Sequence, residues 1–247
     1  MKTEIYTIPI QDAFAEECEC PVCRMYQKLE ENAINYTIGP GASYMEGDIR
    51  EQSDEQGFCQ KHLEMLYEYP NKLGFAMMLK THMDKTAKEL KKAMKAPLPQ
   101  SAGLFKKKSQ TVHPVITFVE EKEKKCFVCD YINHSFTNYI NTIYYLYEKE
   151  EDFRRQFAAS KGFCVNHYKV LFSGAPEYMG KKYLNEFLTT LNETFINGYE
   201  RVRDDLEWFI CKNDYRYKEQ PWKNARDALQ RGLVKVGSIM EAEEKKE

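Results

Sequence analysis

Apolar residues recur at intervals of three and four along much of the chain, which is the spacing of one face of an α-helix. Two such runs follow pairs of cysteines, and their members are Val22, Tyr26, Leu29, Ala33 and Tyr36 in the first and Ile132, Phe136, Ile140, Ile143 and Tyr147 in the second. Longer runs extend from Phe75 to Leu90 and from Tyr183 to Leu206. The pattern predicts long helices. The low numbers of breaking residues, 12 Gly and 9 Pro, agree with this prediction.

The segments between these runs predict further elements. Pro9 and Pro114 stand at the start of short apolar stripes, which indicates a short leading helix at each place. Residues 39–56 are polar and contain glycine, so we expect a loop that can include a short helix, whereas residues 149–158 have a helical pattern. A terminal helix is expected to end at about Val236.

One pattern of cysteine and histidine occurs twice in the chain. Cys20-Pro-Val-Cys23 is followed by Gly-Phe-Cys59-Gln-Lys-His62, and Cys126-Phe-Val-Cys129 is followed by Gly-Phe-Cys164-Val-Asn-His167. The two copies are offset by 106 residues at the first motif and by 105 residues at the second. Such a constant offset over two long segments indicates an internal duplication.

The duplication predicts an all-α protein of two helical units that pack as one body. The first unit is expected over residues 1–95 and the second over residues 113–236, with a linker at 96–112 and a charged tail at 237–247. The linker has a loop-like composition and contains the triplet Lys106-Lys-Lys108, for which a solvated loop is the expected state. Each unit is expected to be stapled by its own metal site.

Each copy of the pattern supplies three thiols and one imidazole, the donor set of a closed tetrahedral zinc site. We therefore predict two zinc ions per chain. The predicted metal ligands are Cys20, Cys23, Cys59 and His62 in the first unit and Cys126, Cys129, Cys164 and His167 in the second. A catalytic zinc usually keeps one position open, so four protein donors favour a structural role. No catalytic residue and no further cofactor is predicted.

Other interpretations of these thiols stay open. An iron–sulfur cluster is a second metal hypothesis, and buried thiols without a metal are a third. Cys18 is close enough in sequence to compete with Cys20, although the repeat offset selects Cys20. Cys211 is expected to lie in the core. The remaining histidines have no companion at ligand spacing and are expected to be structural or surface residues; they are His82, His113 and His134.

Charge and hydropathy narrow the choice of partners and compartment. The chain has 36 basic and 38 acidic residues and a net charge of −2, which disfavours nucleic-acid binding because that function favours a basic face. No apolar stretch approaches the roughly 18 residues that a membrane helix needs. No apolar run at the N-terminus is long enough for a signal peptide, so a cytoplasmic protein without a membrane partner is expected.

Several motifs together resemble a bacterial family of unknown function, the domain-of-unknown-function family numbered 6062. They are the run Ile5-Tyr-Thr-Ile-Pro, the Cys-x-Cys-Pro-x-Cys opening, the two Gly-Phe-Cys-x-x-His elements, and Asp214-Tyr-Arg-Tyr with the following Pro221-Trp-x-Asn-Ala-x-Asp-Ala-Leu229. The resemblance covers nearly the whole chain. It implies a bacterial, mostly helical, cytoplasmic protein, and it implies no activity.

The leading functional hypothesis is a zinc-binding helical protein that acts by binding a protein or small-molecule partner, with structural zinc and no catalysis. A redox-responsive switch built on thiols and zinc is the alternative, because zinc-bound thiolates can be oxidised. An iron–sulfur protein, or an enzyme with an unrecognised pocket, is a further alternative. The sequence does not indicate an oligomeric state.

Overall fold

The computed structural model describes residues 4–98 and 112–238. Those residues form eleven α-helices and two short 3-10 helices, with no strand among them, so the all-α prediction is confirmed. No helix in these two ranges is long and apolar enough to cross a membrane. The α-helices are α1 (Glu4–Ala15), α2 (Pro21–Ile38), α3 (Gly47–Gln56), α4 (Gln60–Glu68), α5 (Lys72–Ala93), α6 (Pro114–Glu123), α7 (Phe127–Lys149), α8 (Glu151–Ala159), α9 (Val165–Tyr178), α10 (Lys181–Cys211) and α11 (Ala228–Gly237).

The structure adds detail to the sequence expectations at one place and differs from them at another. Residues 39–56, where a loop that can include a short helix was expected, contain a 3-10 helix at Ser43–Met45 and the helix α3. Only Ile49 and Ser53 of α3 are buried, so this polar helix shows almost no apolar stripe in the sequence. The leading helix α1 begins at Glu4 and has Pro9 inside it, whereas α6 begins at its proline, Pro114, as predicted.

The order of the helices reflects the duplication. Helices α1 to α5 correspond to α6 to α10, because α2 and α7 each begin at a Cys-x-x-Cys motif and α4 and α9 each begin at a Cys-x-x-His motif. The pairs differ in length, with 22 residues in α5 and 31 in α10. Helix α11 follows the second copy and has no counterpart in the described part of the first.

The described residues fall into two compact units that do not coincide with the two sequence repeats. The first unit consists of residues 4–28 with 135–238, and the second consists of residues 29–98 with 112–134. Both boundaries lie inside helices, in α2 and in α7, so each unit contains parts of both repeats. Residues 99–111 of the expected linker, with Lys106 to Lys108, and residues 239–247 of the expected tail lie outside the described residues.

Aromatic side chains form the centre of the first unit. Phe157 is fully buried and packs against Phe14, Tyr147, Phe163 and Phe187, with ring centroids 5.1 to 5.7 Å apart. Burying a side chain of this size stabilises the fold by roughly 2 to 3 kcal/mol. Phe163 is the aromatic residue of the second Gly-Phe-Cys motif, so the motif is anchored in this core next to its cysteine.

The second unit has fewer buried aromatic residues. Helices α3 and α5 pack against each other, and α4 and α6 both contact α5. Phe58, the aromatic residue of the first Gly-Phe-Cys motif, packs edge to face on Phe127 at the start of α7, with the ring centroids 6.4 Å apart. Tyr36 and Tyr131 stack at 4.8 Å between centroids. The first Gly-Phe-Cys motif therefore also packs on its surroundings through its phenylalanine.

Candidate metal centres

Four cysteines lie immediately before helices. Cys20, Cys59, Cys126 and Cys164 precede α2, α4, α7 and α9, and their backbone carbonyls accept hydrogen bonds from the first helical turn. The unpaired N–H groups at a helix start favour negative charge and lower the cost of ionising a thiol. Cys164 shows this directly, because its Sγ accepts a hydrogen bond from the N–H of His167 at 3.3 Å. The prediction that both motifs open helices is confirmed.

The first group of donors lies in the first unit, where the starts of α2 and α9 meet; we call it the α2–α9 cluster. It consists of Cys20, Cys23, Cys164 and His167, whose four donor atoms all lie within 4.8 Å of one another. The Nδ1 atom of His167 is 3.6 Å from the Sγ of Cys20 and 3.2 Å from the Sγ atoms of Cys23 and Cys164. The Sγ atoms of Cys23 and Cys164 are 3.6 Å apart. The ring nitrogen that faces the thiols is therefore Nδ1.

The second group lies in the second unit, where the starts of α4 and α7 meet; we call it the α4–α7 cluster. It consists of Cys59, His62, Cys126 and Cys129, again with all donor atoms within 4.8 Å. The Nδ1 atom of His62 is 3.3 Å from the Sγ atoms of Cys59 and Cys126 and 3.4 Å from that of Cys129. The Sγ atoms of Cys59 and Cys129 are 3.9 Å apart. The two clusters have the same composition and the same histidine nitrogen.

All eight predicted residues therefore lie in one cluster or the other, but the predicted grouping is wrong. The Cys-x-x-Cys motif of each repeat meets the Cys-x-x-His motif of the other repeat. The reason is the position of α4 along α2. His62 contacts Glu30, which is seven residues beyond Cys23 and therefore about 10 Å further along the helix. The start of α4 is thus beside the middle of α2, away from the thiols at its beginning.

The second repeat has the same displacement. The ring of His167 packs against Phe136, which is seven residues beyond Cys129 in α7, with centroids 5.7 Å apart. Glu30 and Phe136 are equivalent positions of the duplication, 106 residues apart. Each histidine therefore contacts α2 or α7, the helix of its own repeat that follows the first cysteine of the Cys-x-x-Cys motif. Two of the three thiols that face its Nδ1 come from the other repeat. This arrangement accounts for the exchange of motifs.

The donor spacing of both clusters fits one tetrahedral metal ion each. Bond lengths of about 2.3 Å to sulfur and about 2.0 Å to nitrogen place two thiolates about 3.8 Å apart and a thiolate about 3.5 Å from the imidazole nitrogen. The observed separations are 3.6 and 3.9 Å between sulfurs and 3.2 to 3.6 Å between sulfur and nitrogen. All eight cysteines are free thiols. A cluster of several irons with bridging sulfides would hold its thiolates further apart than this.

Comparison with known proteins places the chain in a family. A model of a family of unknown function, DUF6062, matches residues 1–243. The chain belongs to this family. Searches of curated proteins and of solved structures found no match. The resemblance inferred from the paired motifs is thereby confirmed.

The thiols of the α2–α9 cluster ionise very unequally. Burial raises the pKa of Cys20 to about 12, and hydrogen bonds to Cys164 and Cys20 raise the pKa of Cys23. Hydrogen bonds from Cys20 and Cys23 hold the pKa of Cys164 well below its usual range. One thiolate is thus stabilised by two neutral thiols. A cation at the centre of the cluster would favour the thiolate form of all three.

The α4–α7 cluster has an additional charged group. Burial lowers the pKa of His62, but hydrogen bonds with Cys126 and Glu30 outweigh it and raise the pKa to about 9. Burial also raises the pKa of Cys126, yet the contact with His62 lowers it to about 6. Burial and the adjacent Cys126 raise the pKa of Cys129. The cluster therefore favours an ion pair of His62 and Cys126.

Glu30 lies behind His62 and was not identified from the sequence. Its Oε1 is 3.2 Å from the Nε2 of His62, and Lys61 donates to both of its carboxylate oxygens. Burial raises the pKa of Glu30, but the hydrogen bonds from His62 and Lys61 outweigh it and lower the pKa. A carboxylate in this place fixes the ring and makes Nδ1 a better donor to a metal. Its only sequence signal is a glutamate within the helical run of α2.

The backbone links of the two clusters also differ. In the second unit, the N–H of Phe127 donates directly to the carbonyl of Gly57 at 2.9 Å and joins the two motifs. The equivalent residue in the other copy is Pro21, which has no N–H. There the buried Nζ of Lys235 donates to the carbonyls of Glu19 and Lys161, both at 2.7 Å. Lys235 therefore joins the two motifs of the α2–α9 cluster.

Two glycines allow the backbone segments of the paired motifs to approach each other closely. Gly57 and Gly162 have φ angles of +67° and +101°, which other residues adopt only with strain. A Cβ atom at Gly162 would also lie 2.7 Å from the carbonyl oxygen of Thr194. The glycine of each Gly-Phe-Cys motif is therefore required by the turn that presents the cysteine.

The remaining candidates lie outside both clusters. Cys18 contacts the carbonyl of Ala13 through its Sγ at 3.8 Å, and burial raises its pKa to about 11. Cys211 ends α10 and is partly exposed. His113 caps α6 by accepting a hydrogen bond from a backbone N–H, and the Nδ1 of His82 is 2.9 Å from the carbonyl of Asp54. His134 belongs to neither donor group.

Proposed function

We propose that this protein binds two structural zinc ions, one in the α2–α9 cluster and one in the α4–α7 cluster, and that it acts by binding a partner. The observation that carries the proposal is the convergence of three Sγ atoms and one Nδ1 atom within 4.8 Å in each cluster. Tetrahedral sites of sulfur and nitrogen donors favour zinc among the common divalent ions.

The donor count supports a structural role for the metal. Four protein donors complete a tetrahedron and leave no position for a water molecule or a substrate. Each site would join helix starts that come from different repeats, so metal binding would contribute directly to folding. A metal whose coordination is completed by the protein favours a role in binding a protein or small-molecule partner over a role in catalysis.

Elemental analysis of the purified protein, with an absorption spectrum of the same sample, tests the metal assignment. We expect two zinc per chain and no visible colour. The Cys18→Ser and Cys211→Ser variants are matched controls, because neither thiol lies in a cluster, and both should keep two zinc. Iron together with a visible absorption band would show that the protein holds an iron centre and not zinc. A metal-free protein that takes up no added zinc would refute the proposal.

X-ray absorption at the zinc edge tests the closed coordination. We expect three sulfur ligands and one nitrogen ligand per zinc, at about 2.3 and 2.0 Å. An oxygen ligand that exchanges with added anions would show an open position. That result would favour a catalytic metal over a structural one.

A further inference from the structure

The two clusters expose their thiols to a different degree. Cys20, Cys23 and Cys164 of the α2–α9 cluster are 0%, 3% and 0% exposed. In the α4–α7 cluster, Cys59 and Cys129 are both partly exposed, while Cys126 and His62 are buried. Cys59 and Cys129 therefore keep some solvent exposure in the folded protein, which the three cysteines of the α2–α9 cluster lack.

Helix α11 contributes to this difference. It packs against α9 and α10, and its last turn leads to Ser238, whose Oγ is 3.0 Å from the Sγ of Cys164. The buried Lys235 of the same helix joins the two motifs of the α2–α9 cluster. In the first repeat, the described residues that follow α5, 94–98, form no counterpart of α11.

The two exposed thiols are also neighbours. The Sγ atoms of Cys59 and Cys129 are 3.9 Å apart, and a disulfide needs them at about 2.05 Å. Cys59 lies in the turn before α4, and Cys129 lies in the first turn of α7. The two sulfur atoms would have to approach each other by about 2 Å to form the bond. The corresponding close pair in the other cluster, Cys23 and Cys164, is buried.

We propose that Cys59 and Cys129 form a site of reversible oxidation by peroxides. The part of this proposal that concerns release of the metal rests on the proposed function. One thiolate attacks a peroxide oxygen, the O–O bond breaks, and the sulfur becomes a sulfenic acid. The second thiolate attacks that sulfur and expels the hydroxyl as water. In total, two thiolates lose two electrons, and hydrogen peroxide with two protons becomes two water molecules.

The consequence for the metal follows from the donor count. After the disulfide forms, only Cys126 and His62 of the α4–α7 cluster can still bind a metal. Two donors do not complete a tetrahedral zinc site. The zinc of this cluster is released, while that of the buried α2–α9 cluster stays. Reduction by a dithiol restores both thiolates and the site.

The test uses full-length, zinc-loaded protein with Cys18→Ser and Cys211→Ser, which removes the two other partly exposed thiols. Hydrogen peroxide is added in steps, released zinc is measured with a chelating dye, and disulfides are mapped by mass spectrometry of unreduced peptides. We expect one of two zinc ions to leave and a Cys59–Cys129 link to form. Dithiothreitol and added zinc should return the content to two.

Loss of both zinc ions at equal rates, a link between Cys23 and Cys164, or full retention of zinc under mild peroxide would each overturn the inference. The starting zinc content is measured separately, so a failure of the proposed function appears before any oxidant is added. Mapping of the same link in metal-free protein then still tests the thiol pair. In metal-free protein, a disulfide confined to Cys59 and Cys129 supports the inference. Disulfides that join other cysteines refute it.

Discussion

At the scale of single residues, the two histidines show how a duplicated position can change its chemistry while it keeps its place. Glu30 and Phe136 both contact the histidine of their own repeat, one with a carboxylate and the other with a ring. The carboxylate accepts from the imidazole and strengthens it as a donor, whereas the phenyl ring can only pack on it. The two clusters therefore differ in how their histidines are held.

Replacement of Glu30 should weaken the metal affinity of one site only. Glu30→Gln keeps the shape of the side chain but removes the charge behind His62, so we expect zinc affinity at the α4–α7 cluster to fall by about 10-fold or more. Competition with a chelator of known affinity measures this. Glu31→Gln is the matched control, because Glu31 is the exposed neighbour in the same helix. Equal effects of both variants would show that Glu30 has no special role.

At the scale of elements, α11 determines the environment of one cluster. Its amine Lys235 is 1% exposed and replaces the backbone hydrogen bond that Pro21 cannot make. The carboxylate of Glu19 lies 3.1 Å from this amine and also binds Arg201. A terminal helix that ends at about Val236 was predicted, but nothing in the sequence distinguishes Lys235 from a surface lysine, because its burial depends on residues far away in the chain.

Lys235→Met should destabilise the first unit and its cluster. The variant leaves the carbonyls of Glu19 and Lys161 without their shared donor, and buried polar groups that lose their partners cost about 1 to 3 kcal/mol each. We expect the free energy of unfolding in urea to fall by about 3 kcal/mol and zinc to leave the α2–α9 cluster faster. Lys169→Met, at an exposed position of α9, is the control. If Lys235→Met is as stable as Lys169→Met, Lys235 does not stabilise the α2–α9 cluster.

The long helices and the eight residues of the two clusters could be predicted because helical period and motif spacing are local properties of the chain. Helix α3 was expected only as a short helix that the loop at 39–56 can include, because it buries only Ile49 and Ser53 and its apolar stripe is weak. The grouping of the ligands could not be predicted, since it depends on where α4 lies along α2. No spacing within one repeat contains that information.

At the scale of the whole molecule, the exchange of motifs costs little chain entropy. Pairing within a repeat would close a loop of about 35 residues, whereas Cys23 and Cys164 are 141 residues apart. Because the cost of closing a loop grows only with the logarithm of its length, the longer loop costs about 1 kcal/mol more. Packing contacts such as Glu30 on His62 and Phe136 on His167 can outweigh that difference. The fold therefore selects the pairing through side-chain contacts along α2 and α7.

Double variants distinguish exchanged pairing from pairing within each repeat, because two losses in one site remove one metal and two losses in different sites remove both. Cys20→Ser with Cys164→Ser affects only the α2–α9 cluster, so we expect one zinc per chain to remain. Cys20→Ser with Cys59→Ser affects both clusters, so we expect almost no zinc. Pairing within the repeats predicts the reverse of these two results.

The single variants, each expected to keep one zinc, are the controls, and circular dichroism confirms that the compared proteins keep their helices. Since the two double variants share Cys20→Ser and remove the same number of thiols, only the partner of Cys20 can account for a difference in zinc content between them.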